Sequence, residues 1–291
     1  MTSLPNRSSD NSQLSLEGVT VRYGDVAALE DVSIAVQPGE SLAIIGASGA
    51  GKSTLFRALT RSVALDGGGI SVGGRDLYGL SSRDLKQVRR RIGTIYQAYN
   101  LIPQLSAGVN AALGEVGAMG ALQTARVFLA GPEPGLSKKV RVALQEVGLA
   151  DKADARTTDL SGGQQQRVAV ARLLVQRPEL ILADEPFAAV DPVTTEKVLE
   201  TLLGLNGAGS TLLINLHDVE IARRFPRILA LREGRVLFDG PPSILDEAKL
   251  AEIYAGDPTV SHDKEPVDAN FRRLREKQAR VLEGQDGVSA H

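Results

Sequence analysis

Short apolar runs separated by segments of helical spacing dominate the central part of the chain. The runs at residues 42–45, 180–183 and 212–214 contain no polar residue. They predict buried strands, because the strands of a parallel sheet are covered on both faces. Helical spacing at residues 52–61 and 194–205 follows two of them. Strands that alternate with helices in this way predict an α/β fold with a mostly parallel sheet.

The region near the beginning of the chain has a different pattern. Leu14, Leu16, Val19 and Val21 alternate roughly with polar residues, which predicts a strand with one covered face. A turn is predicted at Pro38, where a proline precedes a glycine. Further short strands are predicted at residues 33–36, 70–72 and 92–96.

The segment from about residue 98 to 158 is rich in Ala, Gly and Leu, and we expect a helical insertion there. Its clearest helix is predicted at residues 138–147. Pro132, Pro134 and Gly135 predict a loop just before that helix.

Both ends of the chain are polar. Residues 1–13 are rich in Ser and Asn and lack the basic start and apolar centre of a signal peptide, so we expect a flexible segment. Residues 258–291 are highly charged and predict a solvated tail. The alternative for the tail is a short regulatory or dimer-contact helix. Its apolar stripe would be Phe271, Leu274, Val281 and Leu282.

The composition is that of an ordinary globular protein, with 43% apolar and 23% charged residues among 291. The net charge of −2 encodes no general attraction to nucleic acid or anionic lipid. The absence of cysteine excludes disulfides and thiolate metal sites. No apolar run approaches the ~18 residues of a membrane span, so we expect a partner to do any spanning.

Residues 46–53 fit the phosphate-loop pattern G-x-x-x-x-G-K-[ST], with a buried strand before them and a helix after. Glycines let the loop turn sharply, so that successive N–H groups point at the phosphates of a nucleotide. Lys52 can then reach the β- and γ-phosphates, and the Ser53 hydroxyl can bind Mg²⁺. The predicted ATP-binding residues here are Gly46, Ser48, Gly49, Ala50, Gly51, Lys52, Ser53 and Thr54.

The apolar run 180–183 ends in two acidic residues, Asp184 and Glu185, which is the Walker B arrangement. Asp184 is predicted to hold Mg²⁺, and Glu185 to act as the general base toward the attacking water. Successive side chains of a strand point to opposite faces, so the two carboxylates can have different roles. Acidic residues in an ordinary turn after a strand are the alternative when this motif is taken alone.

Residues 160–164, Leu-Ser-Gly-Gly-Gln, lie between these two motifs and resemble the signature motif of ABC ATPases. Taken alone, they could be a helix N-cap at Ser161 followed by flexible glycines. The resemblance, which covers roughly residues 14–256, implies that Ser161, Gly163 and Gln164 grip the γ-phosphate of ATP bound to another subunit. It also implies a P-loop NTPase fold with a mostly parallel core sheet, an antiparallel β-subdomain and a helical subdomain. The boundaries implied are 14–97 with 159–257 for the core and 98–158 for the helical subdomain.

The same resemblance assigns roles to four further residues. Tyr23 is similar to the aromatic residue that stacks on adenine, and Gln97 to the Q-loop glutamine near Mg²⁺ and the attacking water. Asp191 is similar to the D-loop aspartate, although the loop reads Ala188-Ala189-Val190-Asp191 where members of the family often have Ser-Leu before the Asp. His217 is similar to the switch histidine that contacts the γ-phosphate. The implied catalytic set is therefore Lys52, Gln97, Glu185 and His217.

The resemblance implies a head-to-tail homodimer with two ATP molecules between the subunits. It also implies transmembrane permease subunits, a periplasmic or lipid-anchored solute-binding protein, and a peripheral location on the cytoplasmic face of the cell membrane. The basic residues at 83–91 have no interleaved aromatic residues, so they predict a solvated face rather than a nucleic-acid site.

Three segments narrow the resemblance to the importers of phosphonates and related reduced phosphorus compounds such as phosphite. They are residues 97–102, 214–219 and 238–242, and residues 253–256 also fit. Two alternatives stay open: a motor for another small solute, such as phosphate or a polar amino acid, and a soluble non-transport ABC ATPase.

Overall fold

The computed structural model describes residues 13–117, 119–187 and 191–255, which form two β-sheets with helices around them. The flexible segment predicted at 1–13 lies almost wholly outside these ranges, as does the charged tail predicted at 258–291. Within the described ranges, no helix has both the length and the apolar character needed to cross a membrane.

The first sheet is antiparallel and comes from the early part of the chain. Its strands lie in the order β2-β1-β4-β5. Alternation in β1 buries Leu14, Leu16, Val19 and Val21, as the sequence pattern predicted. The strands are β1 (Leu14–Tyr23), β2 (Val26–Val36), β4 (Gly67–Val72) and β5 (Arg75–Asp76).

The second sheet has six strands in the order β10-β9-β3-β8-β7-β6. Its strands are parallel except that β10 runs antiparallel to β9. This sheet confirms the predicted fold of mostly parallel strands. The strands are β3 (Ser41–Ile45), β6 (Ile92–Ile95), β7 (Leu180–Asp184), β8 (Thr211–Asn215), β9 (Arg227–Arg232) and β10 (Arg235–Gly240).

The parallel sheet separates two apolar cores, which explains the uninterrupted apolar runs in β3, β7 and β8. In β3, Ala43 and Ile45 belong to the core on one side, whereas Leu42 and Ile44 belong to the core on the other. The first core is completed by helices α3 (Ala107–Val116), α5 (Pro134–Glu146), α6 (Gly162–Gln176) and α7 (Pro192–Gly207). The second is completed by the antiparallel sheet and by α1 (Lys52–Leu59).

The remaining helices are short or lie at the periphery. They are α2 (Ser82–Arg90), α4 (Ala121–Ala130), α8 (Val219–Ala222) and α9 (Glu247–Ile253). Single turns of 3₁₀ helix occur at Ala150–Lys152, Thr157–Asp159 and Pro242–Ile244.

Several details differ from the sequence predictions. Strand β2 begins at Val26 rather than at residue 33. Helix α5 begins at Pro134, inside the predicted loop, because proline lacks only an N–H that has no partner in the first turn of a helix. Helix α1 ends at Leu59 rather than at Arg61, whose positive φ of 51° breaks the helical geometry. Strands β9 and β10 were not predicted.

Candidate active site

The loop between β3 and α1 is shaped by two glycines. Gly46 has a φ of 149°, and a Cβ on it would lie 2.3 Å from the main-chain oxygen of Leu231. Gly51 has a φ of 104°, and a Cβ there would lie 2.4 Å from the main-chain oxygen of Ala28. Neither position has room for a side chain, so the tight path of this loop requires glycine at both ends.

A cavity of about 250 Å³ opens at this loop. It brings together the phosphate loop and two predicted catalytic residues that lie far from this loop in the sequence. It is lined by Ala28, Ser48, Gly49, Ala50, Gly51, Lys52, Ser53, Thr54, Glu185 and His217. The N-terminus of α1 opens onto the cavity, so its N–H groups and the positive end of its dipole suit an anionic ligand such as a phosphate.

Lys52 is the first residue of α1 and is only 5% exposed. Its Nζ donates hydrogen bonds to the main-chain oxygens of Gly46, at 2.6 Å, and Ala47, at 3.1 Å. The ammonium group is therefore held inside the curve of the loop, where it adds positive charge to the N–H groups of the helix N-terminus.

Asp184 ends β7 and lies beside Asn215, the last residue of β8. Nδ2 of Asn215 donates to Oδ1 of Asp184 at 2.6 Å. Burial raises the pKa of Asp184, and the hydrogen bond from Asn215 opposes that rise. The charge of Lys52 also lowers the pKa of this carboxyl, so the cation of the phosphate loop and the carboxylate are electrostatically coupled.

Glu185 and His217 form a pair at the edge of the cavity. Nε2 of His217 lies 2.6 Å from Oε1 of Glu185. Glu185 has a positive φ of 49°, and its N–H donates to the main-chain oxygen of Asn215 at 3.2 Å. A carboxylate oriented by an imidazole beside a cavity that suits a phosphate can accept a proton from a water molecule.

The signature segment lies at the beginning of α6. Ser161 is the N-cap, and its Oγ accepts from the N–H of Gln164 at 3.3 Å. The side-chain oxygen of Gln164 accepts in return from the N–H of Ser161 at 2.9 Å, which completes a capping box. Ser161 is exposed, and Gly163 is partly exposed. None of these three residues lines the cavity described above.

Five other residues were predicted at the site and do not line this cavity: Tyr23, Gly46, Gln97, Asp184 and Asp191. Tyr23 ends β1 with 47% of its side chain exposed, and Gln97 is exposed in the turn that follows β6. Their predicted roles toward adenine and Mg²⁺ stay predictions. Asp191 caps α7, accepting from the N–H of Thr194 at 3.0 Å, while its neighbours 188–190 lie outside the described residues.

Sequence reasoning assigned no role to two residues whose side chains hold predicted site segments in place. Asn215 lies within the segment 214–219 that entered the family resemblance, and it is also a polar residue at the end of an apolar strand. Arg172 lies in the middle of α6 and donates to the main-chain oxygens of Tyr99 and Asn100, just beyond Gln97. No motif marked it.

Comparisons with known proteins agree with this geometry. Residues 29–188 match the ABC transporter family. The chain belongs to this family, and it is an ATP-binding and ATP-hydrolysing component of a transporter.

Among its relatives are proteins called phosphonates import ATP-binding protein PhnC. The one from Bradyrhizobium diazoefficiens is 40% identical over 88% of this chain and 95% of its own length. The one from Maricaulis maris is 43% identical over 83% of this chain and 92% of its own.

Solved structures of ATP-binding cassettes have the same fold. The dimeric post-hydrolysis structure of MJ0796 bound to ADP and Pi is 33% identical, with a TM-score of 0.70, and covers 79% of this chain and 98% of that one. The cbiO1 protein from Clostridium perfringens, part of the transporter complex cbiONQ, is 28% identical, with a TM-score of 0.69, over 84% of this chain and 94% of its own.

Proposed function

We propose that this protein drives the import of a phosphonate or a related reduced phosphorus compound, such as phosphite, by hydrolysing ATP. The observation that carries the hydrolytic role is the Glu185–His217 pair, at 2.6 Å, in the same cavity as the phosphate loop. The substrate class is supported by the names of relatives about 40% identical over most of the chain.

The residues of the cavity divide the work of hydrolysis. The loop N–H groups and Lys52 bind the phosphates and neutralise negative charge on them. Glu185 accepts the proton of the attacking water, and His217 holds that carboxylate in place. Tyr23 stacks on the adenine, and Gln97 joins the site when the loop beyond β6 approaches the phosphates.

Mg²⁺ fits this site by the chemistry of its donors. The Ser53 hydroxyl lines the cavity, and the Asp184 carboxylate lies close enough to Lys52 for the two charges to interact. Oxygen donors of this kind, with water in the remaining positions, are what Mg²⁺ prefers. When bound beside ATP, Mg²⁺ neutralises charge that develops on the phosphates. Ser53 and Asp184 are the proposed ligands, with Gln97 as a third.

A second subunit completes each ATP site in this proposal. Ser161, Gly163 and Gln164 are outside the cavity of their own chain, yet they form a capped helix N-terminus suited to a phosphate. The structural relative MJ0796 is dimeric. Two copies arranged head to tail would place the signature segment of each subunit over the phosphate loop of the other.

Mixing two inactive variants tests this arrangement. Lys52→Ala damages the phosphate loop, and Ser161→Arg blocks the signature serine. A mixed dimer then contains one site with both parts intact, so hydrolysis is expected to return on mixing. Continued inactivity of a cross-linked mixed dimer would contradict the composite site while leaving the cavity assignments untouched.

The transport role requires partners in the membrane. We infer transmembrane permease subunits, a periplasmic or lipid-anchored solute-binding protein, and a location on the cytoplasmic face of the cell membrane. ATP closes the dimer and hydrolysis opens it, so the nucleotide has different affinities for two states, as any ligand that drives a conformational change must.

Growth on different phosphorus sources tests the substrate class. A strain lacking the gene, and any redundant transporter, is grown on a phosphonate, on phosphite or on phosphate alone. We expect failure on the phosphonate or on phosphite only, with rescue by the wild type and by Lys138→Ala, a change at an exposed helical lysine. Lys52→Ala is expected not to rescue growth.

Other outcomes separate the alternatives. A growth defect on phosphate or on an amino acid would assign the motor to another small solute. Normal growth on all sources, together with ATPase activity of the purified protein, would remove the phosphorus assignment and favour a different solute or a soluble role.

A further inference from the structure

Asn215 is completely buried and lies at the point where the two acidic residues of the site are held. It is the last residue of β8, and its Cα pairs with that of Asp184 on β7. Its main-chain oxygen accepts from the N–H of Glu185 at 3.2 Å. One residue therefore contacts both neighbouring acidic residues, through its side chain and its main chain.

The side-chain amide has a defined orientation. Nδ2 donates to Oδ1 of Asp184 at 2.6 Å. The reversed amide would place two acceptor oxygens at this distance, which is repulsive when the carboxyl is ionised. The hydrogen bond therefore restrains the rotation of the Asp184 carboxylate through Oδ1.

The other end of the amide carries a second observation. Oδ1 of Asn215 is buried and has no hydrogen-bond partner among the described residues. A buried acceptor without a donor destabilises a protein, so such groups in native structures usually accept from water or from a ligand. The water molecules that Mg²⁺ retains in protein sites are donors of this kind.

We propose that Asn215 is a positioning residue for the magnesium site, holding Asp184 through Nδ2 and accepting through Oδ1 from a water molecule bound to the ion. This inference rests on the proposed role of Asp184 as a magnesium ligand. Polar partners that orient a metal ligand commonly change metal affinity or activity by about 10- to 100-fold when removed. A buried amide that served only the stability of the sheet has no such effect.

The test separates metal binding from folding and from catalysis. Asn215→Leu removes both hydrogen-bonding groups, and Asn215→Ser restores a short polar group. Thr211→Val is the matched control, because Thr211 is buried at the other end of β8 and its Oγ1 accepts from the N–H of Gly39 at 2.9 Å. Binding of a non-hydrolysable ATP analogue is measured calorimetrically in EDTA and over a series of Mg²⁺ concentrations, with the melting temperature as the check on folding.

We expect all variants to bind the analogue in EDTA within about twofold of wild type. The Mg²⁺ concentration that gives half of the magnesium-dependent gain in affinity is expected to rise about 10-fold in Asn215→Leu, rise less in Asn215→Ser, and stay unchanged in Thr211→Val. A Mg²⁺ dependence equal to wild type in both folded Asn215 variants would overturn the proposal. If the wild-type protein binds the analogue neither in EDTA nor in Mg²⁺, the proposed ATP site itself is contradicted.

Discussion

Arg172 in the middle of α6 is joined to Asn100 in the loop beyond Gln97. Its Nη1 donates to the main-chain oxygen of Asn100 at 2.9 Å, and its Nη2 donates to that of Tyr99 at 3.1 Å. Tyr99 and Asn100 both have positive φ, 57° and 45°, a conformation that side-chain-bearing residues rarely adopt. The guanidinium therefore ties the strained loop to the helix that begins just after Ser161.

Arg172→Ala is expected to loosen this loop without destroying the nucleotide site. Two hydrogen bonds from a charged group are lost, so the free energy of unfolding should fall by about 2 kcal/mol. Hydrogen exchange at residues 98–102 is expected to accelerate more than at β3. Arg141→Ala, at an exposed position on α5, is the control and should leave exchange in this loop unchanged. Equal rates of hydrogen exchange at residues 98–102 in wild type and Arg172→Ala would show that the loop conformation does not depend on Arg172.

Glu185→Gln is expected to lower ATP hydrolysis by about 10²- to 10⁴-fold, because the amide cannot accept the proton of the attacking water. ATP binding should persist, since the phosphate loop is untouched. Phosphate release and nucleotide binding are measured on the same preparation. Near-normal hydrolysis in this variant would remove Glu185 as the general base.

Ser161→Ala and Ser106→Ala form a matched pair of helix caps. Ser106 caps α3, with its Oγ accepting from the N–H of Val109 at 3.2 Å, as Ser161 caps α6. Each substitution should destabilise the fold by about 1 kcal/mol. Only Ser161→Ala should also reduce ATP turnover, on the order of 10²-fold, because that serine also contacts a phosphate in the proposed dimer. Equal ATP turnover in the two variants would show that Ser161 acts only as a helix cap.

Asp184→Asn is expected to raise the melting temperature of the nucleotide-free protein at neutral pH. Burial raises the pKa of Asp184 in the folded state, so ionisation at neutral pH opposes folding. The rise in melting temperature should be full at pH values above the raised pKa of Asp184 in the folded state. It should vanish as the pH falls toward 3.8, the pKa of this group in the unfolded state. Melting curves between pH 3 and 8 check this, and a lower melting temperature at neutral pH would contradict it.

Asp191→Asn is expected to change the melting temperature at neutral pH in the opposite direction from Asp184→Asn. Hydrogen bonds from Thr194 lower the pKa of Asp191, so its ionised form favours folding above the unfolded pKa, and this stability is lost as the pH falls through the folded pKa. Asparagine is also a good N-cap, so the variant mainly removes the charge. We expect a lower melting temperature at neutral pH, and a difference that disappears in acid. A melting temperature that rises at neutral pH would mean that the charge of Asp191 opposes folding.

Much of the fold could be predicted because the parallel strands are covered on both faces. The uninterrupted apolar runs in β3, β7 and β8 are a direct result of the two cores. Residues 228–231 form a similar run in β9 that could have been predicted. Strand β10 is harder to see, since it is only partly buried and Asp239 within it pairs with Arg227.

The candidate site was less predictable where it depends on which strands are neighbours. The phosphate-loop and Walker B motifs suggested Lys52 and Glu185, the family resemblance suggested His217, and the structure brings all three to one cavity. The sequence could not show that Asn215 faces Asp184, because 31 positions separate them and only the sheet order makes them adjacent. The same holds for Arg172, whose partners lie 72 and 73 positions away.

The position of Ser161 outside the cavity of its own chain has a genetic consequence. If every ATP site takes one half from each subunit, a dimer of one wild-type subunit and one Ser161 variant has one damaged site and one intact site. An allele altered only at Ser161 should therefore reduce, without abolishing, the activity of a wild-type allele expressed in the same cell. An allele whose product cannot fold should be recessive, because that product never enters a dimer.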